Sequence, residues 1–327
     1  MLAYTVRRLV IGLITLVLIA FVIYGLIRAM PGDPTLLSEA QSEIETRSYT
    51  ADEIESMRRE FGLDKNWAVA YFEWLEKILR GDLGRSLHRH APVSAIIGTR
   101  LGPTLLLSVT SLLLSYLLAV PLGIYSARRS GKLDERLLSA FLYALYSTPS
   151  YVVAVFLLFA LGVELRILPV SGMYGPDHDS LSMPGKIWDV IRHMIVPVAC
   201  YTYGSLAYCA RFIRSTLAEV LEQDYIRTAR AKGLSESAVL WRHAFRNALI
   251  PFVTMMGLSL PALLGGSVIL EKVFAWPGMG SLFFEAIGTY DYPLIMGIAM
   301  MYSVLVLVGT LLADLLYAVV DPRVSYS

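Results

Sequence analysis

The sequence predicts an all-α integral membrane protein with six membrane-spanning helices and a polar insert after the first. Three observations carry that prediction. Hydrophobic residues make up 56% of the 327-residue chain and charged residues only 17%, against about 25% charged in an ordinary soluble domain. Six runs contain no Asp, Glu, Lys or Arg: 9–27, 101–127, 137–163, 193–210, 247–270 and 292–313. Each reaches or approaches the roughly 20 apolar residues that span a hydrocarbon core. The third observation is where the basic residues lie. With the N-terminus inside, the short inner segments hold Arg7, Arg8, Arg128, Arg129, Lys132, Arg136, Arg211, Arg214, Arg227, Arg230, Lys232, Arg242, Arg246 and Arg323. The short outer loops hold only Arg166, Lys186, Arg192 and Lys272. This bias follows the positive-inside rule and places both termini in the cytoplasm. The net charge of +1 says nothing about partners.

Taken in order, residues 1–33 form a cytoplasmic N-terminus and first helix. Arg7 and Arg8 before an apolar run could introduce a signal peptide, but no small-x-small cleavage pattern follows, so the helix reads as retained. Pro31 and Pro34 stop it, since proline lacks a helix donor and disfavours helical geometry just before it. Residues 34–100 read as an external soluble insert. Thr50-Ala51-Asp52-Glu53 matches a capping box, with a helix to about Phe61 and a stop at Gly62. Asn66 caps a second helix, whose apolar face is Trp67, Tyr71, Trp74, Leu75 and Ile78. The turn Arg80-Gly81-Asp82-Leu83-Gly84-Arg85-Ser86 reads equally as a connector or as a docking point for an external partner. Residues 92–100 predict a short interfacial helix before the second span.

Residues 101–327 form the membrane core. The third run contains Pro149, beside Tyr146, Ser147 and Tyr151. A proline in lipid frees backbone carbonyls that neighbours must satisfy, so this is a hinge, a cavity wall or a static kink. The fourth helix continues past Arg211 and Arg214, whose charged heads extend towards water. Cys200 and Cys209 lie on opposite faces of that helix and read as packing residues, with no disulfide available between them. After the fifth run, Pro277 and Gly278 force a turn, Ser281 is placed to cap, and 282–287 is an apolar helix too short to span. Tyr146, Ser147, Pro149, Glu271, Trp276 and Pro277 are the candidate pathway or gate residues, each also readable as packing or loop structure.

Several chemistries are disfavoured, with a secondary transporter or channel kept as a lesser alternative. The chain has no GxxxxGK[ST] phosphate cradle and no HExxH. It therefore has no catalytic residue for ATP hydrolysis and no zinc-protease site. His88 and His90 lack cysteine or carboxylate companions, so no metal site is expected. A secondary transporter or channel would need ionisable groups at membrane depth, and the six runs offer only His193 at one end. Ser267, after Gly265-Gly266, has no histidine placed to form a catalytic pair, which argues against an intramembrane enzyme.

The remaining feature is the loop 222–251, polar and basic between two apolar runs. Good helix formers run to Lys232. Gly233 suits a left-handed stop, Ser235 caps a second helix, and Pro251 lies just inside the fifth span. The prediction is helix, glycine elbow, helix, with Arg227 and Arg230 on one face. Charge alone would serve topology, but a topology signal needs no defined shape.

This loop, with Ala229, Gly233 and Pro251, resembles the coupling motif of bacterial ATP-binding-cassette importer permeases. The general motif begins Glu-Ala-Ala, and here Arg227-Thr228-Ala229 stands in its place. The run Asp224 to Leu234 looks like the version in dipeptide, oligopeptide and nickel permeases. So do Pro31-Gly32-Asp33-Pro34, Gly62-Leu63-Asp64, Gly81-Asp82-Leu83-Gly84, Trp276-Pro277-Gly278-Met279-Gly280, Asp291-Tyr292-Pro293 and Asp321-Pro322-Arg323. The resemblance covers essentially the whole chain, in order, and is to the first of two permease subunits. It implies a type I importer permease fold and a non-catalytic subunit of an ATP-driven importer, for di- or oligopeptides or alternatively for nickel or another small solute. It implies a second homologous permease, two ATPase subunits that hold the ATP and Mg, and an extracytoplasmic substrate-binding protein. The setting would be a bacterial or archaeal cytoplasmic membrane, with lipid and no nucleic acid as surroundings. Arg227, Thr228, Ala229, Arg230, Lys232, Gly233, Leu234 and Ser235 would couple to the ATPase. In that role Gly233 allows the elbow, Arg227 and Arg230 face carboxylates of the ATPase, and Ala229 permits close backbone approach.

Overall fold

A computed structural model describes residues 2–29, 65–259 and 262–320, which are helical apart from turns and one isolated bridge between Arg85 and Pro92. The expected capping box at Thr50, the stop at Gly62 and the motifs at 31–34 and 321–323 lie outside the described residues. Three helices are long and apolar enough to cross a membrane: α1 (Leu2–Ala29), α3 (Val93–Arg128) and α13 (Tyr292–Val320). A fourth crossing is available if α4 (Leu133–Ser147) and α5 (Ser150–Leu157), which continues as π-helix through Glu164, count as one span bent by 92°. The sequence counts six runs, and the structure gives up to four spans by length and composition among the described residues.

The difference has a physical origin. The fourth run lies inside α6 (Met183–Leu221), where His193, Tyr201, Thr202, Tyr203 and Ser205 dilute its apolar character. The fifth is distributed over α9 (Arg246–Ser259), α10 (Ala262–Gly265) and α11 (Val268–Val273), with Gly266 at φ +60°. The expected short helix 92–100 is instead continuous with the second span. Pro103 and Pro121 sit inside α3 without ending it, as transmembrane helices tolerate. The helix expected at 282–287 begins earlier, as α12 (Met279–Gly288). Ser281 does not cap it: its hydroxyl donates to Gly278 O at 2.9 Å.

The described chain divides into two compact units. The first comprises, of the described residues, 2–29, 65–101 and Leu282–Val308. In it α2 (Trp67–Leu79) is capped by Asn66, whose side chain accepts from Ala68 N–H at 3.0 Å. Its apolar face meets α1 through rings: Phe21 is edge-on to Trp67 at 4.9 Å, and the Tyr71 hydroxyl donates to Val17 O at 3.2 Å. Gly81 and Gly84 take left-handed φ values of 80° and 81°. Asp82 accepts from Gly84 N–H at 2.9 Å. The Ser86 hydroxyl donates to buried Asp291, which also accepts from Leu87 N–H and Leu294 N–H at 3.3 Å each. Arg89 donates to both carboxylate oxygens of Glu285 at 2.7 and 2.8 Å. The glycine turn is thus tied into its own chain at the start of α13.

The second unit comprises, of the described residues, 102–259, 262–281 and 309–320. Here α3 and α6 cross closely at Gly123, where an added Cβ would lie 2.7 Å from Ile213 Cβ and 2.9 Å from Ala210 O. Tyr116, Ala119, Leu142, Leu206, Ala210 and Phe252 build the core around that crossing. Cys200 and Cys209 are both buried and free. The loop between α5 and α6 is pinned by Asp189, which accepts from Gly175 N–H at 2.9 Å and from His178 Nδ1 at 2.8 Å. Burial pushes the Asp189 carboxyl up, but the Gly175 amide, His178 and His193 together outweigh it and hold the group below its ordinary 3.8.

A carboxylate with a lowered folded pKa contributes stability above its ordinary value and loses it as pH falls through the folded value. The Gly175 amide should therefore exchange with solvent faster in Asp189→Asn than in wild type at neutral pH. The two should converge once pH falls below 3.8 and through the lowered Asp189 value, as read by hydrogen exchange.

Candidate functional site

The basic loop adopts the predicted elbow. The first arm is α7 (Asp224–Ala231) and the second is α8 (Glu236–Ala238), continued as π-helix Val239–Phe245 into α9. Gly233 sits between them at φ +79°, and an added Cβ would meet nothing within 4 Å. Any other residue there would carry backbone strain without a clash. Ser235 caps the second arm, its hydroxyl accepting from Ala238 N–H at 3.3 Å.

One stripe of α7 faces inward. Ile226 is fully buried and Ala229 is 6% exposed. They pack with Ile124 and Ala127 of α3, Leu217 of α6, and Val239, Leu240 and Ala244 of the second arm. The close approach that Ala229 permits is therefore to the chain's own helices. Arg230 is also used internally: its guanidinium donates to both carboxylate oxygens of Glu236 at 2.9 and 3.3 Å, bracing one arm against the other. Arg227 donates to Asp224 at 3.3 Å in an exposed pair, which adds little stability. Arg227, Thr228, Arg230, Lys232, Gly233, Leu234 and Ser235 are all exposed. Beside Leu234 the structure adds two large side chains that the sequence did not single out, Tyr225 and Trp241; all three are more than 40% exposed. A cationic rim around exposed aromatic and aliphatic groups is chemically a docking surface.

The other candidates separate into two groups. Glu271 and Trp276 are fully buried in the second unit. The Glu271 carboxylate accepts from the Thr104 hydroxyl at 3.0 Å and from Ser281 N–H at 2.9 Å. Thr104 in turn accepts from Met279 N–H at 2.7 Å, and the Trp276 indole donates to Pro103 O at 3.0 Å. Gly266 and Gly278 wrap the carboxylate so closely that a Cβ on either would collide with it. A buried carboxylate is costly unless hydrogen-bonded. This one is a hub that fastens the segment around Pro277 to the start of α3. Tyr146, Ser147 and Pro149 are exposed instead. Pro149 lies at the bend between α4 and α5, the Ser147 hydroxyl donates back to Tyr143 O at 2.8 Å, and Tyr146 lines a cavity against α6. His88 lies against Thr289 O at 2.6 Å, and no metal-holding cluster occurs among the described residues.

Comparison with known proteins gives a consistent result. Residues 119–326 match the family described as binding-protein-dependent transport system inner membrane component, and residues 1–108 match that system's N-terminal membrane component. The chain is 38% identical over 328 residues to the oligopeptide transport system permease protein AppB of Bacillus subtilis, covering 100% of both. It is 38% identical to a putative peptide permease of Brucella ovis, covering 99% of both. It is 36% identical to the glutathione transport system permease GsiC of Pectobacterium atrosepticum, covering 100% of both. Among solved structures, a chain of the inward-facing MetNI methionine ABC transporter superposes with a TM-score of 0.52 at 17% identity, over 70% of this chain and 97% of that one. That likeness concerns the fold alone.

The glutamate hub makes a direct prediction. Gly278→Ala drives a methyl group into the Glu271 carboxyl and should destabilise the protein by about 1–3 kcal/mol. Gly98→Ala, with nothing within 4 Å of the new methyl in α3, should be neutral or slightly stabilising. Thermal unfolding of the two purified variants checks the contrast.

Proposed function

The chain belongs to the family of binding-protein-dependent transport system inner membrane components, and on that premise we propose that it is the transmembrane subunit of an ATP-driven importer of short peptides. It is a multi-pass inner-membrane protein and a non-catalytic subunit, with ATP hydrolysis belonging to partner subunits. The observation that carries the peptide reading is full-length identity of 38% to an oligopeptide permease, supported by the glutathione permease at 36%.

We propose further that the elbow around Gly233 is the surface an ATPase subunit grips. Its shape supports this, with the exposed rim of Arg227, Lys232, Leu234 and Trp241 outside and Ile226 and Ala229 packed inside. Movement of the elbow would pass directly into α3 and α6, since one cluster holds all three. Two ATPases closing on ATP and Mg would press the elbow and rock the bundle between inward-open and outward-open forms. Rigid-body rocking around a site is how many transporters work. The same reading assigns a second permease as the other half of the pathway and an external binding protein that delivers substrate. The basic bias of the short loops supports cytoplasmic termini and an elbow on the cytoplasmic side.

Purified with its second permease and ATPases, the wild-type complex should hydrolyse ATP faster when peptide-loaded binding protein is added. Gly233→Val strains the elbow by about 1–2 kcal/mol, with its Cβ meeting nothing within 4 Å. It should insert and assemble normally, yet lose most peptide uptake and stimulation. Normal uptake by that variant would remove the elbow from the mechanism.

A further inference from the structure

The second unit carries a cavity of about 560 Å³ between the end of α4, the turn after α3 and the C-terminal half of α6. Its walls include Ser130, Tyr146, Tyr208, Arg211, Arg214 and Ser215. The two arginines are one helical turn apart but differ electrostatically. Arg214 donates to Glu135 at 2.8 Å, and that carboxylate is 2% exposed and also accepts from Ser139 at 2.7 Å. Arg211 makes no ion pair among the described residues. Its guanidinium lies 5.0 Å over the ring of Tyr143, an arrangement that orients a cation without neutralising it. The phenols of Tyr146 and Tyr208 make no hydrogen bond among the described residues, and both face the cavity. One uncompensated, oriented guanidinium and two unused phenols thus line one space. Tyr146 is three residues before Pro149, where the α4–α5 pair turns by 92°, so one wall of the cavity belongs to the α4 arm of that bent pair.

We propose that this cavity is a binding site for the carboxylate of a peptide-sized ligand, with Arg211 as its ion-pair partner and Tyr146 and Tyr208 as hydrogen-bond donors. The volume falls within the few hundred to about 1,000 Å³ typical of small-molecule sites. A planar guanidinium matches a carboxylate with two parallel hydrogen bonds. The site rests on the peptide-importer reading and adds to it a place where substrate pauses on the basic side of the bundle. A lipid phosphate shares the negative charge. The α4 wall, three residues from a broken span, favours a solute in transit over a headgroup held at the helix ends.

The test uses the complete transporter in phosphatidylcholine nanodiscs. The probe is the tripeptide alanyl-benzoylphenylalanyl-alanine, as the free acid and as its C-terminal amide. The free acid should photolabel the segments around Tyr146 and Tyr208, mapped by mass spectrometry, and excess trialanine should displace it. Labelling should fall about tenfold for the amide, and about tenfold for the free acid in Arg211→Ala, the scale of a lost charge-assisted hydrogen bond. Arg211→Lys should recover part of the signal. Arg211 and Tyr146 are exposed, so Arg211→Ala and Tyr146→Phe leave the core intact. Equal labelling by acid and amide, labelling indifferent to Arg211→Ala, or displacement by phosphatidylglycerol and not by trialanine would overturn the site. Peptide-stimulated ATP hydrolysis in the same nanodiscs separates the two levels. Stimulation without acid-selective labelling removes the site alone, whereas no stimulation removes the peptide reading and the site with it.

Discussion

The burial of Ile226 fixes the elbow to the helix bundle, and the proposed coupling role depends on that anchorage. Ile226 is fully buried between α3, α6 and the second arm of the elbow. Burying an isoleucine contributes about 1.5–3 kcal/mol, and here one side chain ties three elements together. Ala229, one turn later, is small enough to let α7 lie against them. With that stripe fixed inward, Arg227, Lys232 and Leu234 are fixed outward. Gly233 then needs only to reverse the chain, and the Arg230–Glu236 pair holds the angle between the arms. The elbow is a rigid projection of the bundle.

Two buried carboxylates play a comparable part, each within its own unit. Glu271 gathers Thr104 and the backbone around Gly278 in the second unit. Asp291 gathers Ser86, Leu87 and the first turn of α13 in the first unit. Each is expensive to bury and each is fully engaged, so neither segment is free to rearrange piecemeal. Leaving one partner unmatched would cost about 1–3 kcal/mol. Apolar packing alone would permit sliding. Carboxylate geometry does not, so each turn keeps its shape.

Local chemistry was the part readable from sequence. Asn66 and Ser235 cap helices as their residue types suggest, and Gly233 takes the left-handed conformation expected after a helix. These features depend on neighbours a few residues away. What escaped depends on distant ones. Glu271 sits just after an apolar run and reads as a pathway or gate candidate. Its burial follows from Thr104, 167 residues earlier in the chain. Ser86 and Asp291 are 205 residues apart, so the glycine turn could not be told from a docking point. Arg230 reads as available to a partner until Glu236 is seen six residues on, in the next helix. Residues 92–100 read as a short helix separate from the second span, yet α3 runs straight through residue 100 and through Pro103, because a proline removes one donor and the rest of a long apolar helix remains. The exposed Tyr225 and Trp241 carried no signal, since an aromatic in a basic loop reads as filler until its face is known.

The account stands on the elbow being the point where the ATPase engages. Benzoylphenylalanine placed at Leu234, in the complete transporter, tests it most directly. The account predicts a photo-adduct between this position and an ATPase subunit, with a yield that changes when ATP is added. Adducts to lipid or detergent alone, from a complex that still hydrolyses ATP in response to substrate, would contradict it.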